Sequence, residues 1–315
     1  MSAGWVAGSV RARALVRRRL GSGRARMLAA SDSLTDALTT LAATPYGHDV
    51  SKADTLSAAQ RSVAATYLWH LRVLAGWLPR DGVELARTAA AWFEIANVDE
   101  LLHGFGGDGA REPPYRLGAL ATAWSRLAAC RTPAELRGGL AASAWADPGG
   151  AEPRTIRLSM RLSWLARIAG AAGDRGAAAD RAAAWAAGAA ALLVAGERFG
   201  AGRDIPASLR PIAAALIGPR AMSATTLPEL RAGLAAGARW PLAGIDDAAR
   251  LWRAEARWWG RVERDAEALL GRSGFGAAPV LGAVASLAVD AWRVRAALEM
   301  AARGGTPIGG YDAIA

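Results

Sequence analysis

Apolar residues recur along most of the chain at the three-to-four-residue spacing of an amphipathic helix. Three sets that each share one helical face are Val63, Tyr67, Leu71, Leu74 and Leu78; Leu251, Trp258, Val262, Ala266 and Leu269; and Leu287, Ala291, Val294 and Leu298. Pro and Gly fall between these stretches, and we find no convincing run in which polar and apolar residues alternate as in a half-buried strand. The pattern predicts an all-α fold.

One sequence pattern occurs three times in the chain. It consists of a hydroxyl residue, an acid three positions later and a Leu-Ala-Ala that begins eight positions after the hydroxyl residue. The hydroxyl residues are Ser33, Thr132 and Thr226, the acids are Asp36, Glu135 and Glu229, and an aromatic residue closes each copy at Tyr46, Trp145 and Trp240. A hydroxyl and an acid at this spacing form a capping box, in which the hydroxyl accepts from the amide three residues on and the carboxylate accepts from the amide of the cap. Each copy predicts the start of a short helix.

The starts of the three copies are separated by 99 and 94 residues, which is the size of a domain rather than of a solenoid repeat. Two longer helical patterns follow each copy, at about 57–79 and 81–105, at about 154–172 and 174–199, and at about 245–272 and 277–303. The chain is therefore predicted to contain three similar helical modules, at residues 1–115, 116–208 and 209–315. The alternative is a helical protein whose helices merely start alike, and it predicts no pseudo-threefold relation.

Several local patterns resemble a known family. Ser33 to Leu41 followed by Thr44-Pro45-Tyr46 forms a capped Leu-rich helix that runs into a corner. The positions that extend the likeness are Glu94, Asn97 and His103 in the first module and Pro279, Val280, Leu281, Asp290, Arg293 and Arg295 near the end. Together they resemble the C subunit of the archaeal and bacterial V-type ATPase, the counterpart of the eukaryotic d subunit.

The chain departs from the family pattern in each module. His103 stands where Arg is usual, and Arg293 stands where Asn is expected. The middle module lacks the acid and the Asn around residues 189–193 and retains Arg198.

The resemblance implies a funnel of three similar helical domains in a pseudo-threefold arrangement, placed on the membrane proteolipid ring and receiving the central stalk. Such a protein couples ATP hydrolysis or synthesis to H⁺ or Na⁺ transport and has no catalytic site, metal or cofactor of its own. It lies in the cytoplasm, peripheral to the inner face of the cell membrane. The candidate stalk-interface residues are Asn97, Arg198, Arg293 and Arg295, although the last two are equally typical of solvated helix charges.

The charge balance agrees with an acidic partner without identifying it. The chain has 38 basic and 28 acidic residues and a net charge of +10, which suits a nucleic acid, an anionic membrane surface or an acidic protein. Seven arginines precede Asp32, the first acid. This start resembles a transit peptide or a nucleic-acid arm, but its apolar stripe favours a first structural helix with a solvated basic face.

The sequence gives little support for an enzyme or a metal-binding protein. The single Cys130 excludes an internal disulfide and a cysteine metal cluster. His48, His70 and His103 are far apart, none has a second His at a metal-binding spacing, and no His-Glu-x-x-His arrangement occurs. We therefore expect no enzyme activity from this chain.

Two further classes remain as alternatives, a cytosolic all-helical adaptor and a basic nucleic-acid-binding protein. Nucleic-acid binding is not expected, because Trp69, Trp164, Trp258 and Trp292 lie among apolar neighbours and are predicted to fill cores rather than to stack on bases. The apolar runs at residues 182–196 and 281–289 are too short to cross a bilayer, so we expect a soluble or peripheral protein.

Overall fold

The computed structural model describes residues 2–51, 54–107, 112–173, 176–305 and 309–312, and these residues form helices and no β-strand. The predicted all-α class is confirmed. The α-helices are α1 Ala3–Val16, α2 Ser22–Ala29, α3 Leu34–Ala42, α4 Leu56–Ala75, α5 Arg80–Phe105, α6 Trp124–Leu127, α7 Pro133–Ala141, α8 Pro153–Gly170, α9 Ala177–Ala195, α10 Arg210–Ile217, α11 Leu227–Gly233, α12 Leu251–Leu270, α13 Ala277–Ala302 and α14 Gly309–Asp312.

Short turns of tighter or wider helix join several of these elements. The 3₁₀ turns are Pro45–His48, Gly118–Leu120, Ala207–Leu209, Pro219–Ser223, Ala236–Ala238, Trp240–Leu242 and Ala248–Arg250. A π-helical turn, Gly196–Gly200, continues α9. The predicted helix at 245–272 starts later than expected, because Asp247 caps the turn Ala248–Arg250 by accepting from Ala249 N at 2.9 Å, and α12 begins after that turn.

All three predicted helix caps are present. The hydroxyls of Ser33, Thr132 and Thr226 accept from the amide three residues later at 3.2, 3.2 and 3.3 Å. The carboxylates differ from the expected capping box, because Glu135 accepts from Arg131 N at 2.7 Å and Glu229 from Thr225 N at 2.8 Å. Each of these two acids therefore satisfies the amide one residue before the cap, which ties the preceding loop to the helix start.

The chain divides into two compact units. Unit 1 comprises Met1–Gly82 and Glu255–Ala315, and unit 2 comprises Val83–Ala254. In unit 1 the long helix α13 packs against α1, α2, α3 and α4. In unit 2 the principal helix pair is α8 with α9, and α10 packs against both.

In the part of the chain that the structure describes, three hydrophobic cores are built from helices in the same way. Core 1, in unit 1, joins the α2–α3 segment and Tyr46 to α4 and α13. Core 2, in unit 2, joins the α6–α7 segment and Trp145 to α5 and α8. Core 3, also in unit 2, joins the α10–α11 segment to α9, α8 and Ala254 at the start of α12. Each core thus combines a capped short helix with a long helix that follows it and a long helix from elsewhere in the chain.

The cores do not coincide with the predicted module ranges 1–115, 116–208 and 209–315, since each core takes a long helix from outside the range that holds its capped segment. The recurrence agrees with an internal repeat. The division into three domains with pseudo-threefold symmetry stays a prediction.

Candidate functional site

The polar interior of each core lies where a long helix meets the segment that leads to a capped helix; we call these places junctions 1, 2 and 3. At junction 1, Asp290 of α13 is only 3% exposed. Its Oδ2 accepts from Leu20 N at 2.9 Å and from the Tyr46 hydroxyl at 2.7 Å, and its Oδ1 accepts from Gly21 N at 2.8 Å. Burial, and then the negative charge of Asp290, raise the pKa of Tyr46 well above its usual value. The phenol therefore remains a hydrogen-bond donor.

Junction 2 repeats this arrangement with a longer acid. Glu94 of α5 is fully buried. Its carboxylate accepts from Thr122 N at 2.7 Å, from Ala123 N at 2.8 Å and from the Trp145 indole Nε1 at 2.7 Å. Tyr46 and Trp145 each lie thirteen residues after their capping residue. Two adjacent backbone amides and one aromatic side chain therefore donate to a carboxylate at both junctions.

A partly buried arginine adjoins junction 2. Arg167 of α8 lies over the ring of Trp145 with its guanidinium carbon 5.2 Å from the ring centroid. Burial lowers the pKa of Arg167, while the charge of Glu94 opposes that shift. The indole is thus held between an acid at its N–H and a cation on its face, which fixes the ring orientation.

Junction 3 has the same position and different chemistry. Gly188 of α9 faces Trp240, and a Cβ on Gly188 would lie 2.8 Å from that ring, so no acidic side chain fits there. Ten residues later, Arg198 donates to the carbonyls of Ala221 at 3.5 Å and Met222 at 3.4 Å, and also to that of Ala224. A cation bound to carbonyls therefore replaces an anion bound to amides.

The four predicted interface residues differ in exposure. Asn97 is 1% exposed, and its side chain exchanges two hydrogen bonds with the backbone of Tyr115, at 2.6 and 3.0 Å. Arg198 lies in junction 3. Arg295 is exposed. Asn97 and Arg293 each follow a junction acid by three residues, so they lie on the same helix face as that acid.

Arg293 forms a paired contact with Glu263 of α12, with one of its two nitrogen–oxygen distances at 2.6 Å. Burial opposes the charge on Arg293, but the hydrogen bonds and the charge of Glu263 outweigh it and raise the pKa of Arg293. Three of the four residues are therefore engaged by their own chain, and Arg295 is the one that faces solvent. Their role as a stalk interface stays a prediction.

A small polar cavity of about 140 Å³ adjoins junction 1. Its lining residues are Arg19, Gly21, Ser22, Glu263, Glu267, Ser286, Val289, Asp290 and Arg293. Arg19 donates to the Ser286 hydroxyl, and Arg293 pairs with Glu263. Two arginines and three acidic residues thus line this cavity within unit 1.

Other titratable groups do not assemble into a reactive centre within the described ranges. His70 is 4% exposed, and burial together with the charges of Arg18 and Arg11 lowers its pKa to about 4. Burial raises the pKa of Cys130, which is the opposite of an activated thiol. Among the residues that the structure describes, no group of three His, Cys, Asp or Glu could hold a metal ion.

Two helices are longer and more apolar than the sequence runs indicated. The segments Ala177–Gly200 and Ala277–Ala302 have the length and mean hydropathy of a membrane-spanning helix. The most apolar window of Ala277–Ala302 is 78% buried inside the protein, as in a core helix, and that of Ala177–Gly200 is 44% buried. The uninterrupted apolar runs at residues 182–196 and 281–289 are shorter than the helices that contain them, so they underestimated the apolar length of both helices. A buried core helix of a soluble protein has the same length and composition as a membrane-spanning one.

Sequence reasoning missed the backbone donors at the junctions and misplaced one tryptophan. The partners of Asp290 lie about 270 residues away in the chain, at Leu20 and Gly21. The available signal was the aromatic residue that closes each copy, since Tyr and Trp carry a donor that Phe lacks. Trp69, predicted to fill a core, is instead 42% exposed.

No protein-family model matches the chain, and a search of curated proteins finds no similar sequence.

Proposed function

We propose that the protein is a non-catalytic rotor-coupling subunit of a V-type ATPase or ATP synthase. In this role it links the central stalk to the membrane proteolipid ring and transmits torque for ATP-coupled transport of H⁺ or Na⁺. It works without a cofactor, in the cytoplasm and peripheral to the inner face of the cell membrane.

The recurrence of the three junctions is the observation that carries this proposal. The second long helix of the first module, α5, holds the capped segment of the second module at junction 2. Likewise α9 and its π-helical turn hold the third segment at junction 3, and α13 holds the first segment at junction 1. Each capped segment is therefore bound by the preceding long helix in a cyclic order.

This order of contacts suits a torque-bearing body. Each junction buries charge-assisted hydrogen bonds inside a packed core, and such cores resist deformation. A capped segment can be displaced only if the acid or arginine of the long helix that binds it loses two or three hydrogen bonds at once. Such a loss is costly in a low-dielectric interior. The repeated plan provides stiffness without any reactive centre.

Affinity purification of the tagged full-length chain from membranes of its native cell tests the proposal. We expect stalk and proteolipid-ring subunits of a rotary ATPase to be recovered with it and identified by mass spectrometry. Recovery of the chain without them, from an extract in which the rotary complex is intact, would falsify the proposal. Recovery with nucleic acid alone would favour the nucleic-acid alternative.

A charge reversal at Arg295 tests the exposed member of the predicted interface. The Arg295→Glu variant is expected to recover several-fold less of the stalk, because an acidic partner surface would repel the new carboxylate. Arg250→Glu, a reversal at another exposed arginine, is the matched control. Equal recovery from both variants would remove Arg295 from the interface.

A further inference from the structure

Helix α1 lies unusually close to the segment that follows α4. A Cβ on Gly8 would approach the Leu78 side chain to 2.4 Å, and a Cβ on Gly4 would lie 3.1 to 3.2 Å from Pro79. Glycines at this spacing bring one side of α1 against residues 77–79. The opposite side of α1 is left to solvent.

Four large apolar side chains are exposed on these two elements. Val6 and Val10 of α1 are 37% and 56% exposed, and Trp69 of α4 and Trp77 after it are 42% and 52% exposed. We call Trp69 and Trp77 the α1–α4 face. Val6 and Val10 lie two residues before and after Gly8, and therefore on the side of α1 that faces away from residues 77–79.

Arginines accompany both tryptophans. The guanidinium of Arg11 lies over the ring of Trp77, 6.0 Å from its centroid, and that of Arg18 lies over Trp69 at 5.8 Å. Arg17 and Arg18 are exposed at the end of α1. Residues 1–31 and 55–80 include no acidic residue, so no carboxylate from either sequence neutralises these charges.

We propose that the α1–α4 face binds the surface of a membrane that contains anionic lipids. Indole rings favour the depth of the headgroups, where an apolar body meets a polar environment, and arginines bind headgroup phosphates. This proposal goes beyond the rotor function, in which the membrane is reached through the ring, and it does not depend on that function.

The structure favours lipid over nucleic acid as the occupant. Base stacking needs an open face of an aromatic ring, and an arginine already covers one face of Trp69 and of Trp77. The exposed indoles of Trp69 and Trp77 gain free energy when their apolar area leaves water at a bilayer interface. Charge complementarity and apolar area thus point to the same partner.

Vesicle sedimentation with the purified full-length chain tests the proposal. Vesicles of phosphatidylcholine alone are compared with vesicles that contain phosphatidylglycerol, at low and at physiological salt. We expect binding to the anionic vesicles only, weakening as salt rises because screening reduces the headgroup attraction. Equal binding to both kinds of vesicle, or no binding to either at low salt, would overturn it.

Matched variants locate the binding surface. The double variant Arg17→Gln/Arg18→Gln is expected to lower the vesicle partition coefficient about thirtyfold, and Trp69→Ser at least about fivefold. Trp252→Ser is the control, because Trp252 is also 42% exposed and also carries an arginine on its ring, at 5.1 Å, but lies in unit 2. An equal loss from both tryptophan variants would overturn the assignment to the α1–α4 face.

A single-stranded oligonucleotide added to the vesicle mixture decides between the two anionic partners. Under the proposal, the oligonucleotide at equal charge concentration leaves most of the protein on the vesicles. Displacement of the protein, with the same loss of oligonucleotide binding in Arg17→Gln/Arg18→Gln, would assign the face to nucleic acid and overturn the lipid proposal. Thermal unfolding and circular dichroism of each variant confirm that the fold is retained.

Discussion

A carboxylate removed from water keeps its charge only where donors replace the lost hydration. Asp290 and Glu94 each have two adjacent backbone amides and one aromatic donor. Hydrogen bonds of this kind are about twice as strong as neutral ones. These two side chains therefore hold together segments that are distant in the sequence: Asp290 joins α13 to Leu20 and Gly21, and Glu94 joins α5 to the loop before α6.

Replacing Asp290 with Asn should destabilise the protein by about 2–4 kcal/mol, because the new amide nitrogen would oppose a backbone N–H and leave a buried donor unpaired. Denaturant unfolding measures the loss. Asp32→Asn, at an exposed position, should change the free energy of unfolding by less than about 0.5 kcal/mol. Equal effects from both variants would show that Asp290 is not essential to core 1.

His70 should make stability depend on pH in a defined window. Its folded pKa is lowered to about 4 from an ordinary value near 6.5, so between these values the unfolded chain binds a proton that the folded protein does not. Stability is therefore full above about pH 6.5 and declines as the pH falls toward 4. The loss between pH 7 and pH 5 should be about 2 kcal/mol.

His70→Leu should remove most of that dependence, and unfolding at both pH values measures it. His48→Gln is the matched control, since His48 is exposed and this variant should retain the slope. A slope that persists in His70→Leu would assign the pH dependence to other groups.

At the scale of helices, a Gly→Ala substitution should change the free energy of unfolding in opposite directions at two positions. A Cβ on Gly282 of α13 would lie 2.8 Å from the carbonyl oxygen of Ala266 in α12. Gly282→Ala must therefore push α12 away and should cost about 1–3 kcal/mol. Gly138 of α7 is exposed with nothing within 4 Å of such a Cβ, so Gly138→Ala should stabilise by about 0.5–1 kcal/mol.

Thermal and denaturant unfolding of the two variants measure the difference. Destabilisation by Gly138→Ala, or a gain from Gly282→Ala, would contradict the packing described for these helices.

Elements fixed by nearby residues could be predicted from the sequence, and elements fixed by distant ones could not. The capped starts of α3, α7 and α11 and the approximate bounds of the long helices follow from local spacing. In two of the three capping boxes the acid, Glu135 or Glu229, accepts from the amide one residue before the cap instead of from the cap itself. Such a choice depends on loop geometry that spacing does not encode.

The candidate site was predictable only in part, for the same reason. Glu94, Asn97, Asp290 and Arg293 were named because their positions resemble a family pattern. Their partners were not named, since Asn97 bonds to a loop and Arg293 pairs with a glutamate on another helix. The exposure of Trp69 also escaped local reasoning, because the pattern of α4 shows which face is apolar but not that α1 covers only part of it.

At the scale of the whole chain, the location of the cores determines which fragments retain a complete core. Core 1 takes α13 from the end of the chain, while cores 2 and 3 draw all of their buried members from Val83–Ala254. A segment that retains a whole core keeps the apolar burial that opposes chain entropy. A segment that ends inside a core loses that burial.

The fragment 83–254 should therefore fold alone, with a helical circular dichroism spectrum and one cooperative thermal transition. The fragment 1–115, one of the predicted modules, should not, because it lacks α13 and the Asp290 carboxylate that binds Leu20, Gly21 and Tyr46. Adding a peptide of residues 277–303 in trans should restore helicity to 1–115 in a concentration-dependent manner. Cooperative unfolding of 1–115 by itself would instead show that this module is independent, and that α13 adds to a core which is already complete.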